Sequence, residues 1–442
     1  MDGSTTRRRA RACCAALAAI FLASAGPARA DPQGERIDEL ERRLEQSLRL
    51  IEALTQKIDR LEGERGGAAS GDKQNHAVAR QGERIEALQE QVTQLGSGLS
   101  MRSPSDNGLP VHGFADVGFT SNNRGERKGF AVGSFDLYLT PQFSGGVKTL
   151  VEMLFEVDKD GELAVDAERL QIGYTFSDAA TLWAGRFHTP IGYWNLAYHH
   201  GQQIQTSILR PRFLDFEDKG GIVPTHTVGL WLTGKRPLSG GRFDYDVFLG
   251  NGPRIKLDSG GAPGVLDPNA FRDDNHQATV GFNFAYEPAA VEGLKLGVHW
   301  LRGAVNDDAA APHRTRLQLY GPYAAQVSDD WENIVEYYRF ANRDESGGSG
   351  THASWVGFLQ IGRHFAERWT AYGRLERARL DQGDHYFAAL ANGGSYRRGV
   401  LGLRFDVEPR AALKFEINQT RFSDRGPADS SNEARAEYSV RF

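Results

Sequence analysis

The mature chain has no cysteine. Its two thiols, Cys13 and Cys14, both lie in an N-terminal stretch that reads as an export signal. Disulfides, thiolate metal sites and cysteine nucleophiles are therefore excluded. A thiol-free chain also suits assembly by way of an oxidising compartment. A second long apolar run is missing too, and the mean hydropathy is −0.48, so membrane-spanning helices are excluded. A transmembrane barrel is not, because only alternate residues of its strands meet lipid. There is no positive excess. Loss of the signal removes five arginines and one aspartate, leaving 47 basic against 56 acidic residues, or −9. Nucleic acid is not an expected partner.

Signs of catalysis are absent as well. The Gly-Gly-Ser-Gly run at 347–350 reads as a loop tip rather than a nucleophile elbow. The glycine-rich stretch 260–264 precedes no helix and so cannot cradle phosphate in the usual way. The nearest approach to a metal set is His188 with His199 and His200. Adjacent histidines on an irregular loop, with no carboxylate placed behind them, define no ligand geometry. The expectation is a non-enzyme without metal or cofactor.

Residues 1–30 have the three parts of a general secretory signal. Arg7, Arg8, Arg9 and Arg11 form the charged region, 13–25 is apolar, and Ala28-Arg29-Ala30 is a small-residue cleavage site. The apolar part is too short to span a bilayer as a helix. Residues 31–103 then read as a coiled coil and a flexible linker. Ile37, Leu44, Ile51 and Ile58 occupy one heptad position, and Leu40, Leu54 and Leu61 the other, with Ser47 as the lone polar intruder. Small and polar residues at 66–75 interrupt the pattern, and Val78, Ile85, Leu88, Val92, Leu95 and Leu99 resume it out of phase. Isoleucine at one core position with leucine at the other leans towards two strands.

From 104 onwards the chain reads as a barrel. The hydrophobic period drops to two, with sixteen candidate strands between 111–120 and 432–442. Every second connection is tight, as at 177–179, 237–240 and 408–410, while the others are longer and rich in Gly, Asp and Asn. Short turns at one rim and long loops at the other characterise an outer-membrane barrel. The expected fold is all-β: a 16-stranded antiparallel transmembrane barrel behind an α-helical coiled coil. An even strand count puts both barrel ends on the periplasmic side. Apolar residues such as Val117, Phe119, Phe135, Phe155, Phe282 and Phe284 take the outward positions. The last strand ends Tyr438-Ser439-Val440-Arg441-Phe442, alternating to its final residue, as closure against the first strand requires.

The longest connection, 188–225, is the third on the long-loop rim and reads as a constriction loop. It carries Tyr193, Trp194, His199, His200, Arg210, Arg212, Asp215 and Glu217. A loop of this length in a compact fold is usually functional, and its Ile191, Ile204, Ile208, Leu209 and Phe213 argue for packing inside the barrel. Alternation points Lys148, Arg169, Arg186, Arg242, Lys295, Arg314 and Arg316 into the interior, with Arg374, Arg398, Arg404, Lys414 and Arg435. Acidic residues expected there include Asp116, Asp136, Glu152, Glu156, Asp244, Asp246, Glu376 and Glu416. Rings of one sign set selectivity, and the expectation is a mild anion lean, although single charges more often pair with a neighbouring strand.

The segment Trp183-Ala184-Gly185-Arg186-Phe187-His188-Thr189-Pro190-Ile191-Gly192 resembles the entry to the constriction loop in the phosphate-selective porin-like superfamily. Together with the barrel pattern, the resemblance covers nearly the whole mature chain, including relatives with a periplasmic coiled coil. It implies a homotrimer of water-filled pores in the outer membrane of a Gram-negative bacterium, passing small solutes passively and surrounded by outer-membrane lipid. It also implies that Tyr438, Val440 and Phe442 are read by the barrel assembly machinery. Anion-selective members line their pores with an arginine ladder and a lysine cluster, which do not align here. The competing expectation is a structural anchor whose coiled coil contacts the cell wall or a periplasmic partner.

Overall fold

A computed structural model of the protein describes residues 111–442, apart from 124–127, 142, 144, 158–160, 178, 199–200, 270–276 and 424–429. The expected signal, coiled coil and linker at 1–103 lie outside these residues, as do His199 and His200. The described chain folds into β1 (Val111–Asn122), β2 (Gly129–Leu139), β3 (Val147–Val157), β4 (Leu163–Ser177), β5 (Ala180–His188) and β6 (His226–Leu238). Next come β7 (Gly241–Gly250), β8 (Arg254–Asp258), β9 (Ala262–Asp267), β10 (Thr279–Pro288), β11 (Leu294–Asp307) and β12 (Arg314–Val327). The last six are β13 (Trp331–Asp344), β14 (Thr351–Phe365), β15 (Trp369–Arg379), β16 (Tyr396–Glu408), β17 (Ala411–Phe422) and β18 (Ser430–Arg441). Two single-turn helices, α1 (Trp194–Ala197) and α2 (His385–Ala388), lie in long connections.

Sixteen of these strands form one closed antiparallel barrel. β7 pairs directly with β10, so β8 and β9 stand outside the ring. Closure is made by β1 against β18, from Phe114↔Arg441 to Asn122↔Glu433. It is extended by reciprocal backbone hydrogen bonds of 3.0 Å between Gly113 and Phe442. Closure matters energetically, because it leaves no unpaired strand edge.

Alternation sorts the two faces. Leu170, Ile172 and Tyr174 stand outward on β4, Leu375 on β15, and Leu401 on β16, all exposed. Their strand neighbours Gln171, Arg374, Glu376, Arg398 and Val400 are buried inside. Tyr438, Val440 and Phe442 also face outward, with Phe442 stacked on Phe135 at 5.8 Å.

Several register slips interrupt the alternation, and the one on β4 bears on the interior. On β4 the register slips between the Glu152↔Arg169 and Met153↔Ala167 pairs, leaving Glu168 as an extra residue. A bulge of this kind re-aims side chains, and here Asp166, Glu168 and Arg169 all serve the interior. The β14–β15 turn puts Ala366 and Glu367 at φ of 47° and 60° without a glycine. The Gly- and Asp-rich connection 251–273 has the composition of a long loop, yet β8 and β9 pair as a hairpin within it. That hairpin adds a short parallel bridge to the end of β11 and another from Gly264 to Leu390.

Candidate functional site: a long loop held inside the barrel

The connection from β5 to β6 docks against interior residues of the barrel wall. Its entry explains the Pro-Ile-Gly run. Ile191 is fully buried, and Gly192 sits at φ 66°. A Cβ at Gly192 would lie 2.2 Å from both the Glu336 carboxylate and the Tyr338 hydroxyl, so only glycine fits. From there α1 sets Trp194 edge-on to Phe358, with centroids 5.6 Å apart. Phe213 packs on Tyr338 at 5.2 Å. Leu214, Ile222 and Val223 complete an apolar contact with wall residues such as Leu301, Phe340 and Val356.

Apart from α1 and the 3₁₀ turn Arg212–Leu214, the described residues of the loop have no regular structure, so their backbone polar groups need partners. Charged wall side chains supply them. Glu336 accepts the Trp194 N–H at 2.6 Å. One oxygen of Glu416 accepts the N–H groups of Ile208 at 3.0 Å and Leu209 at 3.2 Å. Glu376 accepts the Arg212 N–H at 2.8 Å. In the opposite sense, Arg374 donates to the Arg210 carbonyl at 3.0 Å. Arg404 donates to the Gln203 and Gln205 carbonyls at 2.7 and 3.0 Å, and Lys414 to that of Gln202. Glu332 takes the hydroxyls of Thr206 at 2.6 Å and Tyr198 at 3.3 Å.

This changes the meaning of several residues expected to face open interior. Arg374 and Glu376 form an ion pair at 2.9 Å with no side-chain exposure. Lys414 is equally buried and pairs with Glu437 at 3.1 Å. Arg398 is nearly buried beside them. In the loop, Arg210 is buried and donates to the Leu214 and Tyr198 carbonyls at 2.9 and 3.1 Å. Burial lowers its pKa to about 10, against the pull of Asp215 and Glu217, so it remains a cation at neutral pH. Arg212 reaches Asn392 at 2.6 Å and covers the Phe422 ring at 5.1 Å. Asp215 accepts its neighbour's N–H, that of Phe216, at 3.1 Å.

Glu217 closes the loop on itself. It accepts the backbone N–H groups of Thr225 and His226, both at 2.7 Å, and the Thr225 hydroxyl at 2.6 Å. His226 Nδ1 lies 2.8 Å away. Burial alone would raise the pKa of this carboxyl, but the charge and hydrogen bonding of His226, with the Thr225 hydroxyl, hold it down at about 2. The other ring nitrogen of His226 meets Glu168 at 2.9 Å.

The charges left facing open space lie mainly on β3–β5 and the end of the loop. Lys148 and Asp218 are exposed. Lys219 lies 2.7 Å from Glu156. Arg169 pairs with Glu152 beneath Tyr138, 5.3 Å from the ring centre, and Arg186 bridges Asp166 and Glu168 at 3.3 and 3.2 Å. At the short-turn rim Lys295 meets Asp244 and Glu287 at 2.9 and 2.8 Å, and Arg242 joins the same two carboxylates. Arg242, Glu287 and Lys295 line a cavity of about 690 Å³ with Tyr193.

Arg314 and Arg316 do not join either group. On β12 the buried parity runs through Leu317, Leu319 and Tyr323, which turns both arginines outward at the loop-side rim. There they pair with Glu345, Arg314 at 2.8 Å. The physical reason is depth: a lipid-facing arginine is costly at mid-bilayer and nearly free at the interface.

No family model and no curated protein matches the chain. Solved structures do. The anion-selective porin from Comamonas acidovorans is similar over 76% of this chain and 99% of its own, at 11% identity and a TM-score of 0.52. The outer-membrane channel DcaP of Acinetobacter baumannii is similar over 78% and 99%, at 10% identity and TM-score 0.50. OmpT of Vibrio cholerae, an outer membrane protein solved in a trimer form, is similar over 76% and 99%, at 9% identity and TM-score 0.50. The likeness establishes that this chain has the fold of outer-membrane porins.

Proposed function

We propose that the protein is a porin: a channel in the outer membrane of a Gram-negative bacterium through which small hydrophilic solutes diffuse passively. The observation that carries this reading is the β5–β6 loop, whose described residues dock inside a closed sixteen-strand barrel and are held at their backbone by wall carboxylates and arginines. A loop fixed in this way narrows the interior without sealing it. Passage runs beside the exposed charges of β3–β5 and leaves through the cavity at the short-turn rim. The similarity to a channel, a porin and a barrel solved as a trimer favours a homotrimer, with 31–103 as a periplasmic coiled coil that trimerises or contacts the cell wall. Phe442, on the closing strand with Tyr438 and Val440, is the signal for the assembly machinery.

Selectivity in this reading is a mild anion lean. Lys148, Arg169, Arg186 and Lys219 set it, and it stays small because the last three are each matched by a carboxylate. The test is a planar-bilayer recording of refolded mature protein in a KCl gradient. Three coupled conductance steps with a slightly anion-shifted reversal potential are expected. A cation shift overturns the selectivity, and silence from a folded barrel moves the reading to a membrane anchor.

A further inference from the structure

The outer face of the barrel carries a row of arginines that the channel reading does not use. Arg377 on β15 stands directly opposite Arg397 on β16, and Arg397 stands opposite Arg421 on β17. All three are exposed on the outward face at the long-loop rim. Among the described residues none has a carboxylate partner; Arg377 only flanks the Trp355 ring, at 5.6 Å. Directly opposed like charges destabilise a sheet, so a threefold row needs an anion to be favourable.

The surface beneath the row is concave. A groove of about 630 Å³ is lined by Arg377, Arg397 and Arg421, with Leu375 and Tyr337. Gly357 and Gly399 lie on the same outward parity and leave its floor without side chains; a Cβ at Gly399 would meet only Leu375, at 3.9 Å. Towards mid-barrel the same three strands turn aliphatic, with Leu375, Leu401 and Ile417 all more than half exposed. Cations therefore sit at the rim and a lipid-like surface lies just below. Strands are about 4.8 Å apart, so the three guanidinium groups span roughly 10 Å. Arginine forks bind phosphate oxygens in pairs.

We propose that this groove binds the phosphorylated headgroup of an outer-leaflet lipid. Its phosphates lie on Arg377, Arg397 and Arg421, and its acyl chains run along Leu375, Leu401 and Ile417. The assignment rests on the reading of the barrel as membrane-spanning with its long loops outside.

The experiment uses the full mature protein folded in a zwitterionic detergent, with diphosphorylated lipid A as probe and the same lipid stripped of phosphate as comparison. Binding is read by native mass spectrometry and by thermal unfolding. The wild type should retain lipid A and melt higher with it, and should not respond to the phosphate-free lipid. The triple variant Arg377→Gln/Arg397→Gln/Arg421→Gln should bind about tenfold more weakly or less. It should also melt higher than wild type without lipid, since three opposed charges are gone, which shows that it folds. Arg363→Gln, an outward arginine at the opposite rim, should behave as wild type. Equal affinity of the triple variant, or equal binding of the phosphate-free lipid, overturns the proposal. So does loss of an oligomer with lipid binding intact, which would assign the face to a second copy of the chain. Conductance in phosphatidylcholine bilayers should be the same for wild type and triple variant. A silent wild type that still binds lipid A would refute the channel and leave this assignment standing.

Discussion

Glu336 on the barrel wall accepts the backbone N–H of Trp194 at 2.6 Å, a bond that joins residues 142 positions apart in sequence. It is one of several contacts in which a wall charge meets loop backbone instead of another side chain. Removing the acceptor leaves a buried N–H without a partner, at about 1–3 kcal/mol each. Glu416→Ala strands two such groups, on Ile208 and Leu209. Its unfolding free energy in urea should fall by about 2–6 kcal/mol, and its single-channel current should become larger and noisier as the loop loosens.

Glu217 gives a pH signature with a definite sign. Its folded pKa, about 2, lies below the ordinary value of 4.5, so the native state binds the proton less readily than the unfolded chain. Stability from this carboxylate is therefore fully present above about pH 4.5 and is lost as pH falls towards 2. The stability gap between wild type and Glu217→Gln should be flat from pH 7 to 5, at about 3 kcal/mol. It should close between pH 4.5 and 2 in a series of equilibrium unfolding curves. A gap that closes near neutral pH would refute the assignment.

Exposure separates charges that tune ion flow from charges that hold the loop. Lys219 is exposed, whereas Arg374 and its partner Glu376 have no side-chain exposure. Lys219→Glu should move the reversal potential towards cations with little effect on stability. Arg374→Gln should cost about 3–5 kcal/mol by leaving Glu376 without its ion-pair partner. Equal shifts in reversal potential from both would mean that Arg374 is reached by the permeating ions.

The turn at Ala366 and Glu367 is strained, since both adopt left-handed backbone angles that cost non-glycine residues roughly 1–2 kcal/mol each. Two-residue hairpins of this type favour Asn-Gly. Ala366→Asn/Glu367→Gly should raise stability by about 1 kcal/mol or more, seen as a higher melting temperature with unchanged conductance.

Most of the barrel was legible in the sequence because its signal is local. Period-two alternation is read over a few residues, and the tight connections 237–240 and 408–410 end where β7 (Gly241–Gly250) and β17 (Ala411–Phe422) begin. β8 and β9 were not legible, because a short hairpin around Gly260 and Gly261 has the composition of a loop. The parity of Arg314 and Arg316 is not legible in the sequence for a different reason. An arginine in a strand suggests the interior, but at the rim either face is wet, and only the run Leu317, Leu319, Tyr323 fixes the direction. The roles of Arg374, Arg404 and Lys414 could not be read at all. Their partners are backbone carbonyls 164 to 212 positions away, and a carbonyl leaves no mark in a sequence. Tight docking at Gly192, by contrast, had a sequence trace in the Pro-Ile-Gly run.

In this channel the loop is the element that narrows the passage. The most direct measurement is single-channel conductance of the mature protein before and after excision of residues 196–221, joined by a short glycine-serine linker. Stable steps that grow severalfold in the excised barrel are the predicted result. Identical steps in both proteins, or no current from either when correctly folded, would contradict it.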